Sequence, residues 1–534
     1  MSDLKYSGPI VLAILDGVGL SKNEKGNAVK KAHTEFLDEA IHNHRTMALE
    51  ASGEAVGIMP GQMGNSEVGH NALGSGQIIK QGIAKIEDEF ESGRIWESTA
   101  WTGVISHVKA NNGTLHFSGI FSDGGVHSDI NHLFKMLKRA NEEGVERVRI
   151  HLVLDGRDVP PRSAEKYIEM LENFLNTLRD PYGHQRDYKV AGGGGRMIYV
   201  ADRYETDWEI VKRGWNAIVH GEAENRFESS MEAITELRER DPGVQDQYLP
   251  PFIIVENDEP VGTVKDGDGF IYYDFRADRA IEIAEAFTYE NFIPFDRGTE
   301  NNRRLNVFFV GMTEYNSDTH VPQYRLVEPV EIKNSLHEFL GEKGISQLSI
   351  AETAKFGHIT YYFNGNSYEK FSNEEQVEIE SDTCPYNERP WMKSAEIADA
   401  MLEKMGDYKF VRVNFAAGDM VGHFGELEAT ITAMEAIDIQ LNRIAKKVDE
   451  LGGMMIITAD HGNAEELIDE DGNPKTSHTI NLVPCIFYDN TENKNRYELN
   501  RVSDAGISNI APTIANLLGF KDLPDNWRES LIKF

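Results

Sequence analysis

Short, uninterrupted apolar runs recur along the chain and predict buried strands. They lie at residues 10–15, 114–121, 148–154, 305–310, 410–415 and 454–458. Runs of this length, without regular polar alternation, are typical of strands that are covered on both faces, as in mainly parallel sheets. We therefore predict a buried strand at each of these places.

Amphipathic helical patterns lie between several of these runs. The clearest spans residues 427–451, where apolar residues recur at steps of three, four and seven: Leu427, Ile431, Met434, Leu441, Ile444, Val448 and Leu451. Such spacing places them on one face of a helix, and Gly452-Gly453 marks its end. Alternation of buried strands with helices of this kind predicts an α/β fold with mainly parallel sheets.

The length of the chain predicts more than one domain. At 534 residues it exceeds what one hydrophobic core usually supports. The small or polar stretches at residues 74–77 and 313–323 are the candidate linkers. The segment between them is then an insertion, and the outer domain must assemble from both ends of the chain.

The charge of the chain narrows the classes of partner. There are 54 Lys and Arg residues against 88 Asp and Glu residues, which gives a formal net charge of −34. Such acidity disfavours nonspecific binding to nucleic acids or anionic membranes, so we expect neither as a partner. An anionic substrate would have to be bound by a local cluster of arginines.

Cysteine content and the N-terminal sequence point to a soluble cytoplasmic protein. Cys384 and Cys485 are the only cysteines, too few for a disulfide framework. The apolar run at residues 10–15 is too short for a signal-peptide core or a membrane span. We therefore expect a cytoplasmic location.

Candidate metal ligands follow three of the predicted strands. Asp460 and His461 come after the run at 454–459, Asp16 closes the run at 10–15, and Asp419 follows the run at 410–415. The carboxyl ends of parallel strands meet at one edge of a sheet, where α/β proteins place their sites. His423 and His478 lie further along the chain and complete a set of carboxylate and imidazole ligands. Taken singly, Asp16 suits a turn, Asp419 a helix N-cap and His478 the surface.

Ser66 is the candidate nucleophile, and it follows a glycine-rich segment at residues 59–65. One interpretation is that Ser66 only caps a helix, since serine is a preferred N-cap residue. The other is that free backbone N–H groups at the helix start favour a phosphate on its hydroxyl, which a neighbouring metal ion would activate. The two interpretations are compatible.

Candidate anion-binding residues lie mostly in the predicted insertion. They follow strand-like or glycine-rich segments: His127, Arg157, Arg196, Arg203, Arg276 and Arg279. A guanidinium group matches carboxylate and phosphate oxygens in a bidentate manner, which suits a phosphorylated acid. For any single arginine, a surface ion pair with the many acidic residues is the more common explanation.

Together these stretches resemble the cofactor-independent phosphoglycerate mutases of the alkaline-phosphatase superfamily. The segments that carry the resemblance are 15–17 (LDG), 64–70 (GNSEVGH), 122–128 (SDGGVHS), 155–158 (DGRD), 275–279 (FRADR), 418–423 (GDMVGH), 458–463 (TADHGN) and 477–479 (SHT). The spacing from Arg196 to Arg203 is similar to that of the plant and trypanosomatid subgroup. Several motifs in this order are far more specific than any one of them.

The resemblance implies a domain organisation and a ligand set. A discontinuous alkaline-phosphatase-like domain, residues 1–80 and 326–534, would hold a central, mainly parallel sheet, and residues 81–325 would form an inserted α/β transferase-like domain. Asp419, His423 and His478 would hold one divalent ion, and Asp16, Ser66, Asp460 and His461 the other. The ligand types permit manganese, cobalt, magnesium or zinc, and of these we expect manganese. The residues implied to bind substrate are His127, Arg157, Asp158, Arg196, Arg203, Arg276, Arg279 and Lys355.

The resemblance also implies the reaction. A monomer would interconvert 3-phosphoglycerate and 2-phosphoglycerate through a phosphoserine at Ser66, without 2,3-bisphosphoglycerate. Asp158 would transfer the proton of the substrate hydroxyl, because a positioned carboxylate can act as acid or base. Rival functions are those of a phosphomonoesterase, a phosphopentomutase or a sulfatase. A further rival is a noncatalytic metal-binding scaffold, in which Ser66 would only cap its helix.

Overall fold

A computed structural model gives the fold and describes residues 4–202, 207–316, 319–328, 330, 332–469 and 472–534. Its strands, in chain order, are β1 (Ile10–Leu15), β2 (Arg45–Leu49), β3 (Leu115–Phe121), β4 (Arg147–Leu154), β5 (Asp187–Gly195), β6 (Asn225–Phe227), β7 (Phe252–Glu256), β8 (Glu259–Pro260), β9 (Gly269–Tyr272), β10 (Phe308–Gly311), β11 (Gln347–Glu352), β12 (Glu374–Ile379), β13 (Phe410–Phe415), β14 (Met454–Thr458), β15 (Val483–Tyr488), β16 (Glu498–Leu499) and β17 (Ile532–Lys533).

The α-helices alternate with these strands along most of the chain. They are α1 (Ala28–Lys31), α2 (Glu35–Asn43), α3 (Ser66–Ser75), α4 (Gly82–Ser92), α5 (Thr99–Ala110), α6 (Ile130–Glu142), α7 (Ala164–Thr177), α8 (Trp208–Trp215), α9 (Ser230–Arg240), α10 (Ile281–Thr288), α11 (Leu336–Glu342), α12 (Thr353–Gly357), α13 (Ser394–Lys404), α14 (Ala417–Gly422), α15 (Leu427–Leu451) and α16 (Ile510–Leu517). Among the described residues, no helix combines the length and apolar character that crossing a membrane requires.

The chain divides into two compact units. The first consists of Met1–Ala84 and Val330–Phe534, and the second of Lys85–Pro329. These limits lie four residues beyond the predicted ones at 80 and 325, because backbone hydrogen bonds continue past both positions. The Gln81 N–H donates to Gly57 O within the first unit, and the Val327 N–H donates to Met312 O within the second.

The first unit contains a seven-stranded sheet in the order β12-β11-β13-β1-β14-β15-β2. All its neighbouring strands are parallel except at β15, which is antiparallel to both β14 and β2. The strands β1, β13 and β14 are buried along their whole length, and their bounds match the runs predicted at 10–15, 410–415 and 454–458. Leu15 pairs with Phe415, and Ile14 pairs with Thr458, so the three carboxyl ends lie at one edge.

The helix α15 packs in the core of this unit and confirms the prediction for residues 427–451. Its buried face includes Met434, Ile437, Leu441 and Val448. The helix ends at Gly452, whose φ of +70° lies in the left-handed region that glycine adopts without steric cost.

The second unit contains a sheet in the order β10-β9-β3-β4-β5-β7-β6, with β8 paired to β7. Neighbours from β10 to β5 are parallel, and β7 is antiparallel to β5. The carboxyl ends of β3, β4, β5 and β9 therefore share one edge. Both sheets confirm the prediction of an α/β fold with mainly parallel strands.

The glycine run at residues 192–195 forms the end of β5, a strand that has no long apolar run in its sequence. Side chains are excluded there by close neighbours. A Cβ atom added at Gly192 would lie 2.5 Å from Phe252 O, and one added at Gly193 would lie 2.7 Å from Leu152 O. The run therefore brings neighbouring strands close together and leads directly into Arg196.

Candidate active site

Three buried carboxylates lie at the carboxyl edge of the sheet in the first unit. Asp16 follows β1, Asp460 follows β14 by two residues, and Asp419 lies in α14 after β13. Each is at most 2% exposed. Close backbone contacts hold them together, because a Cβ at Gly17 would lie 2.7 Å from Asp419 Cα and one at Gly69 would lie 2.6 Å from Asp460 O. The sheet thus brings together the carboxylates that the sequence predicted as metal ligands.

Ser66 is the first residue of α3 and does not cap it. The N-cap is Asn65, whose side chain accepts a hydrogen bond from the Val68 N–H at 2.9 Å. The interpretation of Ser66 as an N-cap is therefore wrong. Its hydroxyl is directed to the carboxylate cluster instead, with Oγ 3.0 Å from His461 Nε2 and 3.3 Å from Asp16 Oδ1.

Lys355, in α12, supplies a positive charge inside this cluster. Its ammonium donates to Ser66 Oγ at 2.6 Å, to Asp419 Oδ2 at 2.8 Å and to Asp16 Oδ1 at 2.9 Å. Burial favours the neutral amine, but the charges of Asp16, Asp419 and Asp460 outweigh burial and raise the pKa of Lys355. The family resemblance placed Lys355 among the substrate-binding residues, whereas its contacts here are with the carboxylates and Ser66.

His423 and His478 flank Asp419 with their ring nitrogens fixed by backbone carbonyls. His423 Nδ1 lies 2.7 Å from Thr476 O, and His478 Nδ1 lies 2.8 Å from Gly64 O. These partners assign the ring proton to Nδ1 in each neutral ring. Both Nε2 atoms then present lone pairs, 3.1 Å from each other and 3.3 and 3.2 Å from Asp419 Oδ1. Three converging donor atoms of this kind suit a divalent cation.

His461 and Asp460 form the other side of the cluster, together with His70. His461 Nε2 lies 3.5 Å from Asp460 Oδ2 and 3.7 Å from Asp16 Oδ1. His70 Nδ1 lies 2.8 Å from Ser66 O and 3.2 Å from Asp460 Oδ2. His70 was not predicted as a site residue, although its position four residues after Ser66 on α3 is a signal that it shares a helix face with the serine.

The electrostatics of the cluster favour bound cations. Asp16, Asp419 and Asp460 carry three negative charges against the single charge of Lys355, which leaves a formal charge of about −2 with neutral histidines. Burial, followed by repulsion from Asp460, raises the pKa of Asp16. The ligand atoms of Asp419, His461 and His478 lie within 4.8 Å of one another, as do those of Asp16, His70 and Asp460. The donor set therefore fits divalent metal ions.

In the second unit, Asp155 organises the loop after β4. Its Oδ1 accepts the N–H groups of Arg157 and Asp158, both at 3.1 Å, and its Oδ2 accepts the Ser122 hydroxyl at 2.6 Å. Arg196, buried at the end of β5, donates to Asp155 Oδ1 at 2.7 Å and also to Asp158. The side chain of Arg157 is exposed. The structure thus brings the predicted residues Asp158 and Arg196 into contact.

His127 lies between two carboxylates in this unit. Its Nδ1 is 3.3 Å from Asp278 Oδ1, and its Nε2 is 3.9 Å from Asp158 Oδ2. Arg276 Nε is also 3.3 Å from Asp278 Oδ1. Asp278 was not predicted as a site residue, and its place between two predicted arginines was the available signal.

The remaining predicted arginines of this unit differ in their surroundings. Arg279 is buried and donates to Ala201 O at 2.7 Å. Arg276 is 46% exposed in its side chain, so its guanidinium can contact a ligand. Arg203 lies outside the described residues.

Comparison with known proteins identifies the family. Residues 8–522 match the family described as the Metalloenzyme superfamily. The chain is 43% identical to a probable 2,3-bisphosphoglycerate-independent phosphoglycerate mutase of Leptospira interrogans, over 99% of this chain and 98% of the relative. It is 41% identical to the 2,3-bisphosphoglycerate-independent phosphoglycerate mutase of Trypanosoma brucei brucei, over 98% of this chain and 97% of the relative.

A solved structure agrees with these relatives. The phosphoglycerate mutase of Leishmania mexicana, determined at low cobalt concentration, is 39% identical and superposes with a TM-score of 0.70, covering 100% of this chain and 99% of the other. Family match, sequence identity and fold coincide over nearly the whole length. The chain therefore belongs to the Metalloenzyme superfamily and, within it, to the 2,3-bisphosphoglycerate-independent phosphoglycerate mutases.

Proposed function

We propose that this chain interconverts 3-phosphoglycerate and 2-phosphoglycerate through a phosphoserine at Ser66, without 2,3-bisphosphoglycerate. The contacts of the Ser66 hydroxyl carry the proposal. Its Oγ lies 3.0 Å from an imidazole nitrogen of His461 and 2.6 Å from the Lys355 ammonium. A hydroxyl that contacts an ammonium group and lies beside the imidazole of a proposed metal ligand is suited to nucleophilic attack on a phosphoryl group.

For the metal ligands we propose the two sets that the family resemblance implies. Asp419, His423 and His478 would hold one divalent ion, and Asp16, Ser66, Asp460 and His461 the other. Bound divalent ions act as Lewis acids and lower the pKa of a coordinated hydroxyl. Carboxylate and imidazole donors together suit manganese, which we propose as the ion, and also permit cobalt, magnesium or zinc.

In the first half of the reaction, Ser66 Oγ attacks phosphorus, the bond from phosphorus to the substrate oxygen breaks, and the proton lost by the Ser66 hydroxyl is balanced by one taken up at the freed oxygen. In the second half, the other hydroxyl of glycerate loses its proton to Asp158 and attacks phosphorus, and the bond to Ser66 Oγ breaks. Ser66 Oγ then takes up a proton and Asp158 releases one, which restores the free enzyme. Arg157, Arg196, Arg203, Arg276, Arg279 and His127 would keep glycerate bound between the two steps. The guanidinium groups match its carboxylate and the phosphoryl oxygens.

A coupled assay tests this activity. We expect purified enzyme loaded with manganese to convert 3-phosphoglycerate to 2-phosphoglycerate when 2,3-bisphosphoglycerate is absent. Inorganic phosphate should be released much more slowly than the isomer forms. Turnover that requires added 2,3-bisphosphoglycerate would refute the proposal, and release of phosphate without isomerisation would favour a simple phosphatase.

A matched pair of arginine variants tests the role of Arg276 in the same assay. Arg276→Gln should lower kcat/KM for phosphoglycerate roughly 10- to 150-fold, because a hydrogen bond to a charged group contributes about 1.5–3 kcal/mol. Arg240, an exposed arginine of the same unit that pairs with Glu236, provides the control substitution Arg240→Gln. Equal kcat/KM values for the two variants would argue against a role for Arg276 in substrate binding.

The contact between His127 and Asp278 predicts a pH effect. Burial lowers the pKa of His127, and Asp278 acts in the opposite direction because its negative charge favours imidazolium. Asp278→Asn removes that charge, so the pKa of His127 should fall further and the neutral ring should persist to lower pH. If neutral His127 is required, the acid limb of kcat/KM against pH should shift to lower pH.

The control for this shift is Asp266→Asn, which changes a largely exposed carboxylate paired with Arg303. It should leave the pH profile unchanged. An acid limb that stays in place in Asp278→Asn, or moves to higher pH, would contradict the assignment of that limb to His127.

A further inference from the structure

A second concave site lies in the first unit, apart from the carboxylate cluster. It is a cavity of about 710 Å³ bordered by α1, α2, the strands β2 and β15, and the loop that follows β1. The lining does not include Ser66 or any of the proposed metal ligands. Its volume lies within the range of roughly 300–1,000 Å³ that is typical of small-molecule sites. The reaction proposed above gives this cavity no role.

The cavity is strongly apolar from its base to its opening. Buried side chains form the base, among them Leu15, Leu37 and Ile486. Large apolar side chains at the opening remain accessible to solvent: Leu20 (39%), Ile41 (46%), Ile480 (57%) and Leu482 (37%). Exposed apolar side chains that cluster around one opening are typical of a binding surface. Apolar side chains scattered singly over a surface are normal and indicate no site.

The walls of the cavity are fixed by hydrogen bonds. The Leu20 N–H donates to Leu482 O at 2.7 Å and joins the loop after β1 to the segment before β15. Glu465, which is fully buried, accepts the Gly19 N–H at 3.0 Å and the Asn481 side-chain amide at 2.9 Å. A cavity that is already formed requires little ordering when a ligand binds.

Two lysines give the lining of the cavity a local positive charge. Lys22 and Lys30 both line it, against one carboxylate, Asp38. The Lys30 ammonium donates to Lys22 O at 2.8 Å. The segment 22–31 contains four lysines and one glutamate, a charge of about +3 in a chain whose net charge is −34. This cavity therefore combines an apolar base with cations.

We propose that this cavity binds an amphipathic anion of the acyl carboxylate class. The acyl chain would pack against Leu15, Leu37 and Ile486, and the carboxylate would face Lys22 and Lys30. Burial of the chain supplies most of the affinity, and the lysines select an acid over a neutral chain of the same length. A concave cavity of this volume matches a single chain better than the flat surface of a bilayer.

Titration calorimetry with dodecanoate tests the proposal on the full-length, metal-loaded enzyme, at concentrations below micelle formation. We expect saturable binding of one dodecanoate per chain. Ile41→Glu replaces an apolar side chain at the opening with a carboxylate and should weaken binding at least about 10-fold, because it removes apolar contact with the acyl chain and repels the ligand's carboxylate. The matched control is Ile439→Glu, a substitution of another exposed isoleucine, which lies on α15 outside the cavity. This variant should bind dodecanoate as the unmodified chain does.

The role of the lysines has its own test. The double substitution Lys22→Gln and Lys30→Gln should weaken dodecanoate binding about 3- to 30-fold, since exposed ion pairs contribute modestly. Dodecanol should bind equally to the double variant and to the unmodified chain. Absence of saturable binding, equal affinity in Ile41→Glu and Ile439→Glu, or association only with anionic phospholipid vesicles would each overturn the proposal. Because binding is measured directly, these outcomes are independent of the mutase reaction.

Discussion

Replacing Ser66 with alanine is expected to abolish mutase turnover, lowering kcat by at least about 10⁴-fold. Removal of a catalytic nucleophile commonly costs this much or more, because the remaining site can bind substrate but cannot form the covalent intermediate. The fold should persist, since the N-cap of α3 is Asn65 and not Ser66. We expect the free energy of unfolding to change by about 1 kcal/mol, the usual contribution of a hydrogen bond.

Ser75→Ala is the matched control for this substitution. Ser75 lies on the same helix and is also buried, but its hydroxyl donates a hydrogen bond to Gln77 O at 3.2 Å, in the turn after the helix. Turnover by Ser75→Ala should remain within a few-fold of turnover by the unmodified enzyme. Full activity in Ser66→Ala would leave the serine with a structural role only and would refute the proposed reaction.

Removal of divalent ions should have the second largest effect. The cluster holds three buried carboxylates against one ammonium, so chelation leaves uncompensated charge as well as removing the Lewis acids. Mutase activity should fall at least about 10³-fold, which corresponds to several kcal/mol of transition-state stabilisation. The melting temperature should fall by roughly 5–10 °C, because ions that bind only the folded state stabilise it.

Readdition of single metals and one pair of variants make this test specific. Manganese should restore activity, and cobalt, magnesium and zinc should be compared with it one at a time. Asp460→Asn should lower the bound metal measured by elemental analysis, whereas Asp489→Asn, which changes another buried carboxylate of the same unit, should not. Unchanged turnover in an enzyme shown by that analysis to be metal-free would contradict the ligand assignment.

The elements that could be predicted from the sequence are those whose pattern depends on local burial. The strands β1, β13 and β14 and the helix α15 have the predicted bounds because their apolar spacing and the terminal Gly452 are local signals. The strand β5 could not be found in this way, because its glycines are required by the neighbours Phe252 and Leu152, which are distant in sequence. The strand β10 starts at Phe308, three residues after the predicted start at residue 305, because an apolar run need not be paired along its whole length.

In the candidate site, too, some residues could be placed from local sequence patterns, and others depend on contacts between distant parts of the chain. Asp16, Asp419 and Asp460 could be placed at one edge because each follows a parallel strand. The position of Lys355 could not be derived, since its ion pairs join residues separated by 339 and 64 positions. His70 and Asp278 each had a local signal, but their contacts with Asp460 and His127 form only when the chain folds. Resemblance to a family supplied the role of Ser66, and its hydrogen bonds supply the physical basis for that role.

In the proposed reaction the phosphoryl group passes through Ser66. The most direct measurement is to mix the metal-loaded enzyme with 2-phosphoglycerate that carries a radioactive phosphoryl group, to quench during turnover, and to locate the label by peptide mass spectrometry. We predict label on the peptide that contains Ser66, attached to its hydroxyl, and no label in Ser66→Ala. Isomerisation with no label on Ser66, or with label on another residue such as His461, would contradict the account.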